Sequence, residues 1–170
     1  MKRGGMCFYD FDDTIPVINV YFATHGSREV SDFEDDFFVE AFGGEKRIAL
    51  LERHFDRLKS RGVELSIVSF SWDAVIRESL ARVGLRNYFE EDLIFGSDSG
   101  AMVKNRLVKG AVIREQMVLR DCVFERAVLV DDDWDNLEVC EREKICRTVH
   151  ISLARGMNEE DFEVIEGLFG

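Results

Sequence analysis

Short apolar runs alternate with segments of helical periodicity along most of the chain, and this alternation limits the fold more than any other feature of the sequence. The runs are nearly continuous in apolar residues, as strands are when both faces of a parallel sheet are covered. Helices that alternate with such strands supply the two covering layers. We therefore expect an α/β three-layer sandwich around a mostly parallel sheet, with strands near residues 6–9, 63–68, 93–95, 127–130 and 145–151.

The segments between these runs carry helix signals. Residues 45–61 place Ile48, Leu51 and Phe55 on one helical face, and the next residue, Gly62, is of a type that commonly ends a helix. Polar residues that can cap a helix precede other segments. The further predicted helices are one capped by Ser71 and ended at Gly84, one from Lys109 to about residue 119, one near residues 135–143 and one capped by Asn158.

The length and charge of the chain exclude several classes of protein. Its 170 residues suit one domain with a sizeable core. Lys and Arg total 22 against 34 Asp and Glu, and the net charge of −12 argues against a broad nucleic-acid or anionic-membrane surface. A small phosphorylated substrate is compatible with this charge if a metal ion offsets the acids locally. No apolar run approaches the roughly 18 residues of a membrane span, and no signal-peptide core follows the first residues, so we expect a cytoplasmic protein.

Acidic residues directly follow two of the predicted strands. Asp10 and Asp12 come after residues 6–9, and alternate residues of an extended loop face the same way, so both carboxylates can face one site. One could act as a nucleophile and the other as a proton donor and acceptor, but their charges repel unless a divalent cation lies between them. Acids also occur at strand ends as turn residues, yet a second cluster closes another strand and offers further oxygen ligands: Asp131, Asp132, Asp133 and Asp135.

Phosphate recognition also needs hydrogen-bond donors and positive charge, and residues between the two acidic clusters can provide them. Ser69, directly after the second strand, offers a hydroxyl and, with Phe70, backbone N–H groups. Lys109 precedes a predicted helix and offers a point charge beside the N-terminal amides of that helix. Considered alone, the serine would be a loop residue or a cap and the lysine a surface residue. Their order between the acidic clusters makes them candidates.

These residues, in this order, resemble the four motifs of the haloacid dehalogenase (HAD) superfamily of aspartate-nucleophile phosphotransferases. The first motif corresponds to residues 10–14, Asp-Phe-Asp-Asp-Thr, and the second to Ser69. The third corresponds to Lys109, with Lys104 as a second candidate that is less clearly placed before a helix. The fourth corresponds to residues 128–132, Val-Leu-Val-Asp-Asp, with Asn136 at a familiar spacing, so the resemblance covers about residues 6–151.

The resemblance implies a HAD-like, Rossmann-like sheet and a covalent mechanism. Asp10 would attack phosphorus and form an aspartyl-phosphate, while Asp12 would protonate the leaving oxygen and then deprotonate the hydrolytic water. Ser69, Phe70 and Lys109 would hold the transferring phosphoryl group and stabilise its charge. The acid at position 12 sets the chain apart from the halide-cleaving branch of the superfamily, which lacks it.

The resemblance also implies Mg²⁺ as the cofactor. Its ligands would be the Asp10 carboxylate, the backbone carbonyl of Asp12 and an acid of the fourth motif. Asp132 is the preferred acid, although the sequence does not separate it securely from Asp131. Asp131 and Asp133 would otherwise contact the ion indirectly, for example through water.

The stretch between the first motif and residue 45 is too short for an independent cap domain. Residues 15–22 are unusually apolar and lie where the family has its flap. Residues 31–34, Ser-Asp-Phe-Glu, are typical of a capping box and precede a segment rich in phenylalanine, whose apolar face we expect mainly to pack on the core. Part of that face could instead shape the substrate pocket or bind a partner. We expect one domain over residues 1–170 with a minimal lid at about residues 15–44.

The implied activity is that of a Mg²⁺-dependent phosphomonoesterase acting on a phosphorylated small molecule or a phosphoprotein. Weakly capped sites in this superfamily are often associated with bulky or macromolecular substrates. A phosphotransferase or phosphomutase shares the first step and is an alternative. A non-catalytic phospho-acceptor or binding domain is another, although bacterial receiver domains carry an acid pair first, a lone acceptor aspartate in the middle and the lysine last, whereas here the lysine precedes the second acidic cluster.

Overall fold

The computed structural model describes residues 4–152 and 155–170. The strands in these ranges are β1 (Gly5–Tyr9), β2 (Val63–Val68), β3 (Ile94–Phe95), β4 (Ala127–Asp131) and β5 (Arg147–His150). The α-helices are α1 (Val20–Ala23), α2 (Asp35–Ala41), α3 (Glu45–Ser60), α4 (Asp73–Arg82), α5 (Gly100–Lys104), α6 (Lys109–Leu119), α7 (Trp134–Arg142) and α8 (Glu159–Leu168), with short 3₁₀ helices at Arg86–Tyr88, Glu91–Leu93 and Phe124–Arg126. None of the helices in these two ranges is both long and apolar enough to cross a bilayer.

The five strands form one parallel sheet in the order β3-β2-β1-β4-β5, which confirms the predicted sheet. β1 lies at its centre, so Tyr9 pairs with Ile67 of β2 on one side and with Val130 of β4 on the other. After β1, the chain adds β2 and β3 on one side of it and then β4 and β5 on the other. This reversal of strand order leaves a crevice at the carboxyl ends of the central strands, where parallel α/β sheets bind their ligands.

Alternate residues of the strands face opposite layers of helices. Cys7 and Tyr9 of β1 lie in one apolar cluster, and Met6 and Phe8 lie in the other. Residues of α2, α3, α4 and α8 complete the first cluster, and residues of α5, α6 and α7 complete the second. The predicted three-layer sandwich is therefore confirmed for the part of the chain that is described.

A chain of polar side chains crosses the first cluster behind the end of β1. Tyr9 Oη lies 2.8 Å from His54 Nε2, and His54 Nδ1 lies 2.9 Å from Glu166 Oε1. Burial lowers the pKa of His54 and outweighs the opposing effect of Glu166. The lowered pKa favours a neutral ring. Because the carboxylate accepts, Nδ1 of the neutral ring carries the proton and Nε2 accepts the Tyr9 hydroxyl. This chain of hydrogen bonds ties β1 to α8 through α3.

The segment between β1 and α3 packs mostly on the first cluster. Phe38 and Phe42 are fully buried there, and Phe33 and Phe37 pack against the same cluster. The expectation that the phenylalanine-rich face packs on the core is confirmed. Phe22 of α1, by contrast, is exposed.

The predicted capping box at residues 31–34 is wrong. α2 begins only at Asp35, and no described side chain caps its first turn. Arg82, on α4, binds the carbonyl oxygens of Ser31 and Phe33 at 3.0 Å each. Those contacts hold the segment in a turn ahead of the helix, so its side chains do not reach the helical N–H groups.

Other differences concern short elements and another cap. Ser71 does not cap α4; Asp98, from the loop after β3, accepts the backbone N–H of Asp73 at 2.8 Å instead. The predicted third strand loses residue 93 to a 3₁₀ helix, and the predicted strand at 145–151 shortens to β5. The one-turn helices α1 and α5 were not predicted, because four or five residues are too few for an apolar period to be read.

The burial of Phe55 on α3 predicts a large loss of stability when its ring is removed. The ring is fully buried and lies edge-on to Tyr9 at 5.6 Å and to Phe89 at 5.3 Å. Phe55→Ala should lower the free energy of unfolding by about 3–5 kcal/mol, as measured by denaturant titration. Phe22→Ala, at a position 72% exposed, should change it by no more than about 0.5 kcal/mol. Similar losses in the two variants would contradict the packing described.

Candidate active site

A buried lysine joins the ends of two neighbouring strands. Lys109 is the first residue of α6, is 3% exposed, and donates from Nζ to Asp10 Oδ1 and to Asp131 Oδ2 at 2.8 Å each. Asp10 directly follows β1, and Asp131 ends the adjacent β4. Burial alone would lower the pKa of Lys109, but the two carboxylates raise it above its ordinary value, so the amine stays charged. The structure thus brings three of the predicted site residues into direct contact.

Asp10 is buried between groups of both signs. Its carboxyl group accepts from Lys109 Nζ and lies close to the carboxyl group of Asp132. Burial raises the pKa of Asp10 to about 7, while the charge of Lys109 lowers it and the nearby Asp132 raises it. Carboxylates this close together repel each other, and a divalent cation between them would remove that repulsion. Asp10, Asp131 and Asp132 offer oxygens within 4.8 Å of one another, a hard donor set that fits Mg²⁺.

The two neighbouring acids at the end of β4 have different surroundings. Asp131 is fully buried and both of its oxygens are engaged, since Oδ1 accepts the N–H of Asp133 at 2.9 Å and Oδ2 accepts the lysine ammonium and Asn136 Nδ2 at 3.2 Å. Asp132 is only half-buried. Asp131 therefore organises the lysine and the loop into α7, and Asp132 is the more accessible of the two to an ion.

Asp12 is held by the start of α1. Its Oδ1 accepts the backbone N–H of Val20 at 2.7 Å, and the backbone N–H of Tyr21 is the next donor along the chain. Asn19 is the N-cap residue of this helix. Burial raises the pKa of Asp12 to about 7, the charge of Asp10 adds to the rise, and the backbone donors oppose it. A carboxyl group that titrates near neutral pH can both give and take a proton. Metal contact through the Asp12 carbonyl stays a prediction.

Ser69 and Phe70 lie directly after β2 at the same edge of the sheet. The Ser69 N–H donates to the Phe95 carbonyl at 2.9 Å, and its Oγ accepts the N–H of Ser71 at 3.1 Å. A hydroxyl that accepts in this way still has its own hydrogen to donate. The ring of Phe70 is half-exposed and lies 4.8 Å from Lys109 Nζ, a cation–π contact.

The predicted catalytic, phosphate-binding and metal-binding residues all line one pocket of about 160 Å³. Its volume is well below that of a pocket for a drug-sized ligand, so only a small part of a larger substrate would enter it. Of the other lining residues, Asp13 is part of the first motif but has no role assigned from the sequence, and Asn19 is not a candidate there. Asparagine before a helical turn is a cap signal that could have indicated Asn19. The full lining is Asp10, Asp12, Asp13, Asn19, Ser69, Phe70, Lys109, Asp131, Asp132, Asp133 and Asn136.

A larger cavity, of about 870 Å³, lies at the opposite edge of the sheet beside Gly4, Met6 and Arg126. It contains none of the predicted site residues. The smaller pocket is therefore the candidate site, because it is there that the titratable groups converge.

Three other candidates from the sequence lie outside the lysine–carboxylate centre. Asp133 is the N-cap of α7, where its Oδ1 accepts the N–H of Asp135 at 2.9 Å. Asp135 is exposed and does not line the pocket. Lys104 is an exposed residue at the end of α5 and donates to Glu115 Oε1 at 3.0 Å. The geometry thus selects Lys109 over Lys104.

The same fold occurs in solved structures of HAD-superfamily proteins. A HAD-like family hydrolase from Streptococcus pneumoniae aligns with a TM-score of 0.56 and 14% identity over 94% of this chain and 90% of that one. A HAD-superfamily hydrolase of subfamily IA, variant 1, from Geobacter sulfurreducens aligns with a TM-score of 0.56 and 14% identity over 98% and 99% of the two chains.

A phosphoserine phosphatase, solved as an analogue of its phospho-aspartyl intermediate, aligns with a TM-score of 0.52 and 17% identity over 88% and 87% of the two chains. No family model matches the sequence, and no curated protein is significantly similar to it. At these identities the likeness concerns the fold. The chain has the HAD-like fold.

The contacts of Lys109 predict that its removal destabilises the protein strongly. Lys109→Met leaves two carboxylates buried without a cation, so the free energy of unfolding at neutral pH should fall by about 3–5 kcal/mol in denaturant titrations. Part of this loss should be recovered toward pH 5. Without the cation, the folded-state pKa values of the two carboxyl groups rise still further above their unfolded values, so stability declines more steeply as the pH rises.

Lys104→Met is the matched control for this variant. Its ion pair with Glu115 is exposed, so we expect a change of less than about 1 kcal/mol at either pH. Equal losses in the two lysine variants would contradict the buried role of Lys109.

Proposed function

We propose that the protein is a Mg²⁺-dependent phosphomonoester hydrolase that works through an aspartyl-phosphate on Asp10. The observation that carries this proposal is the contact of Lys109 with Asp10 and Asp131, in a pocket that Asp12 and Ser69 also line. The nucleophile, acid, hydroxyl donor and cation of the resemblance thus meet in one small pocket, and together with Asp131 they come from four separate segments of the chain.

The residues would share the work as follows. The Asp10 carboxylate attacks phosphorus while the bond to the leaving oxygen breaks, and Asp12 gives its proton to that oxygen. Asp12 then takes a proton from water, which attacks the same phosphorus and displaces the Asp10 carboxylate, releasing inorganic phosphate. Ser69, the Phe70 backbone N–H and Lys109 hold the phosphoryl oxygens and offset their charge throughout.

The acidic donor set supports a divalent cation beside Asp10. We assign the direct contacts to the carboxylates of Asp10 and Asp132 and to the Asp12 backbone carbonyl. Asp131 orients Lys109 and the following loop, since both of its oxygens are already engaged. When bound, Mg²⁺ would neutralise charge on the phosphoryl oxygens and on Asp10.

The structural neighbours support the chemistry at a general level. They include hydrolases of the HAD superfamily and a phosphoserine phosphatase in the form of a phospho-aspartyl intermediate analogue. Transfer of the phosphoryl group to an acceptor other than water has the same first step. An activity measurement is therefore needed to distinguish hydrolysis from such a transfer.

The short segment at residues 15–44 supports a single domain with a minimal lid. α1 touches Asp12 through Val20, and α2 packs on the core through Phe38. The pocket itself has room for little more than a phosphoryl group, so the rest of the substrate would lie outside it. We therefore propose a bulky or macromolecular phosphoester, such as a phosphoprotein, as the substrate class, in a cytoplasmic setting and without a nucleic-acid or membrane partner.

The proposed roles predict the activity of three aspartate variants. With Mg²⁺, the protein should hydrolyse p-nitrophenyl phosphate and lose this activity on chelation. Asp10→Asn should lower kcat by on the order of 10³-fold or more, and Asp12→Asn by on the order of 10²- to 10⁴-fold. Asp135→Asn, at an exposed position outside the pocket, should retain the wild-type rate. Near-wild-type activity of Asp10→Asn would contradict the assignment of the nucleophile.

A separate screen of phosphopeptides, sugar phosphates and nucleotides would rank the substrate classes.

The different surroundings of Asp132 and Asp131 predict different effects on metal binding. Mg²⁺ should raise the thermal midpoint of the wild-type protein. Asp132→Asn should weaken Mg²⁺ binding at least about tenfold in calorimetric titrations, because it removes a direct contact. Asp131→Asn should chiefly lower stability without Mg²⁺, because it removes a charge that balances Lys109. The reverse pattern would exchange the two roles.

A further inference from the structure

Arg47, on α3, is a half-buried cation whose bound partners are backbone carbonyls. Nη1 donates to Ile15 O at 2.6 Å and to Phe42 O at 2.8 Å. Nη2 donates to Met157 O at 3.0 Å and to Thr14 O at 3.4 Å, and Nε donates to Met157 O at 3.2 Å. One guanidinium group thus binds four carbonyl oxygens from three separate segments of the chain.

Those segments surround the proposed lid. Thr14 ends the first motif and Ile15 follows it, Phe42 comes directly after α2, and Met157 lies shortly before α8. Arg47 therefore holds the beginning and the end of the segment at residues 15–44 together, and joins both to the C-terminal part of the chain.

The backbone around the guanidinium is shaped to admit it. Gly43 and Gly156 both have positive φ, at 86° and 60°. A Cβ atom on Gly43 would lie 2.6 Å from Arg47 Cδ, and one on Gly156 would lie 2.8 Å from Arg47 Nη2. Side chains at these positions would displace the arginine, so glycine is required there for close approach as well as for conformation.

A short path of hydrogen bonds leads from these carbonyls to Asp12. The N–H groups of Thr14 and Ile15 both donate to the Phe11 carbonyl, at 3.1 and 3.0 Å, which closes the turn that contains Asp12. Five residues after Ile15, the N–H of Val20 donates to the Asp12 carboxylate at 2.7 Å. The arginine thus fixes both the turn that carries the acid and the start of the segment that binds its side chain.

We propose that Arg47 is a positioning residue for Asp12, setting where this carboxyl group stands relative to the leaving oxygen of the substrate. The role rests on the proposed function, because it presupposes that Asp12 is the proton donor. A lysine could not perform it, because its three donors radiate from one atom, whereas the guanidinium presents five N–H groups in a fixed plane. Burial lowers the pKa of Arg47 to about 10, against the opposing charge of Asp161, so the group remains charged at neutral pH.

The test compares two substrates of similar shape whose leaving groups need a proton to different degrees. Phenyl phosphate has the more basic leaving oxygen and p-nitrophenyl phosphate the less basic one, and kcat/KM reports the step in which that oxygen departs. Arg47→Lys should lower kcat/KM for phenyl phosphate by roughly 10- to 100-fold, since misplacement of the acid removes most of its contribution. The loss with p-nitrophenyl phosphate should be several-fold smaller.

Arg61→Lys is the matched control, because Arg61 also binds a backbone carbonyl, that of Glu166 at 2.7 Å, at the opposite edge of the sheet. It should alter neither kcat/KM value. A second readout needs neither substrate nor metal: limited proteolysis should cut residues 15–44 faster in Arg47→Lys than in Arg61→Lys. If Arg47→Lys folds poorly, Gly156→Ala should reproduce the selective loss. Its Cβ would lie 2.8 Å from Arg47 Nη2 and 2.9 Å from the Pro16 carbonyl oxygen, so it displaces the guanidinium and the start of the segment that it holds, while the arginine keeps its charge.

The outcomes separate this role from the proposed function. Equal losses with the two substrates, in Arg47→Lys and in Gly156→Ala, would mean that Arg47 only stabilises the fold and would overturn the positioning role alone. Unchanged kcat/KM and unchanged proteolysis would overturn it as well. A wild-type protein that hydrolyses neither substrate with Mg²⁺ would overturn the proposed function, and the positioning role with it.

Discussion

The candidate site depends on one buried ammonium group placed between two carboxylates. Adjacent parallel strands bring Asp10 and Asp131 to the same edge of the sheet, where burial and mutual repulsion would both oppose their ionisation. Lys109 can lie between them because α6 begins at that residue, which directs its side chain toward the crevice. The chain as a whole carries an excess of acids, yet this centre is locally balanced. The other polar groups of the pocket are arranged around that balance.

Much of the fold and the membership of the site could be predicted from the sequence, for a physical reason. Strands buried on both faces are recognisable as apolar runs, and the carboxyl ends of parallel strands must share an edge. Once Asp10, Ser69 and Asp131 were placed at strand ends, their convergence followed from the sheet alone. Lys109 is preferred over Lys104 because it stands at the start of a helix, and the structure places Lys109, not Lys104, against Asp10 and Asp131.

The predictions that were wrong or missing involve contacts between distant segments. Asp98, and not Ser71, accepts a backbone N–H at the start of α4. Arg82 donates to two carbonyl oxygens of the turn at residues 31–34, where a capping box was expected. No sequence pattern indicates the contacts of Arg47, because every residue type has a backbone carbonyl and the carbonyls it binds come from three parts of the chain. Asp131 and Asp132 are the same residue type side by side, and only the tertiary structure distinguishes their surroundings.

The hydrogen-bonded chain from Tyr9 through His54 to Glu166 has a consequence for the order in which the protein can be completed. Tyr9 stands next to Asp10, and its hydroxyl is paired through a ring whose other nitrogen needs a carboxylate on α8. On the ribosome, the neighbourhood of the candidate nucleophile therefore stays unfinished until residue 166 has emerged. Completion of the surroundings of Asp10 is in this way coupled to the synthesis of α8.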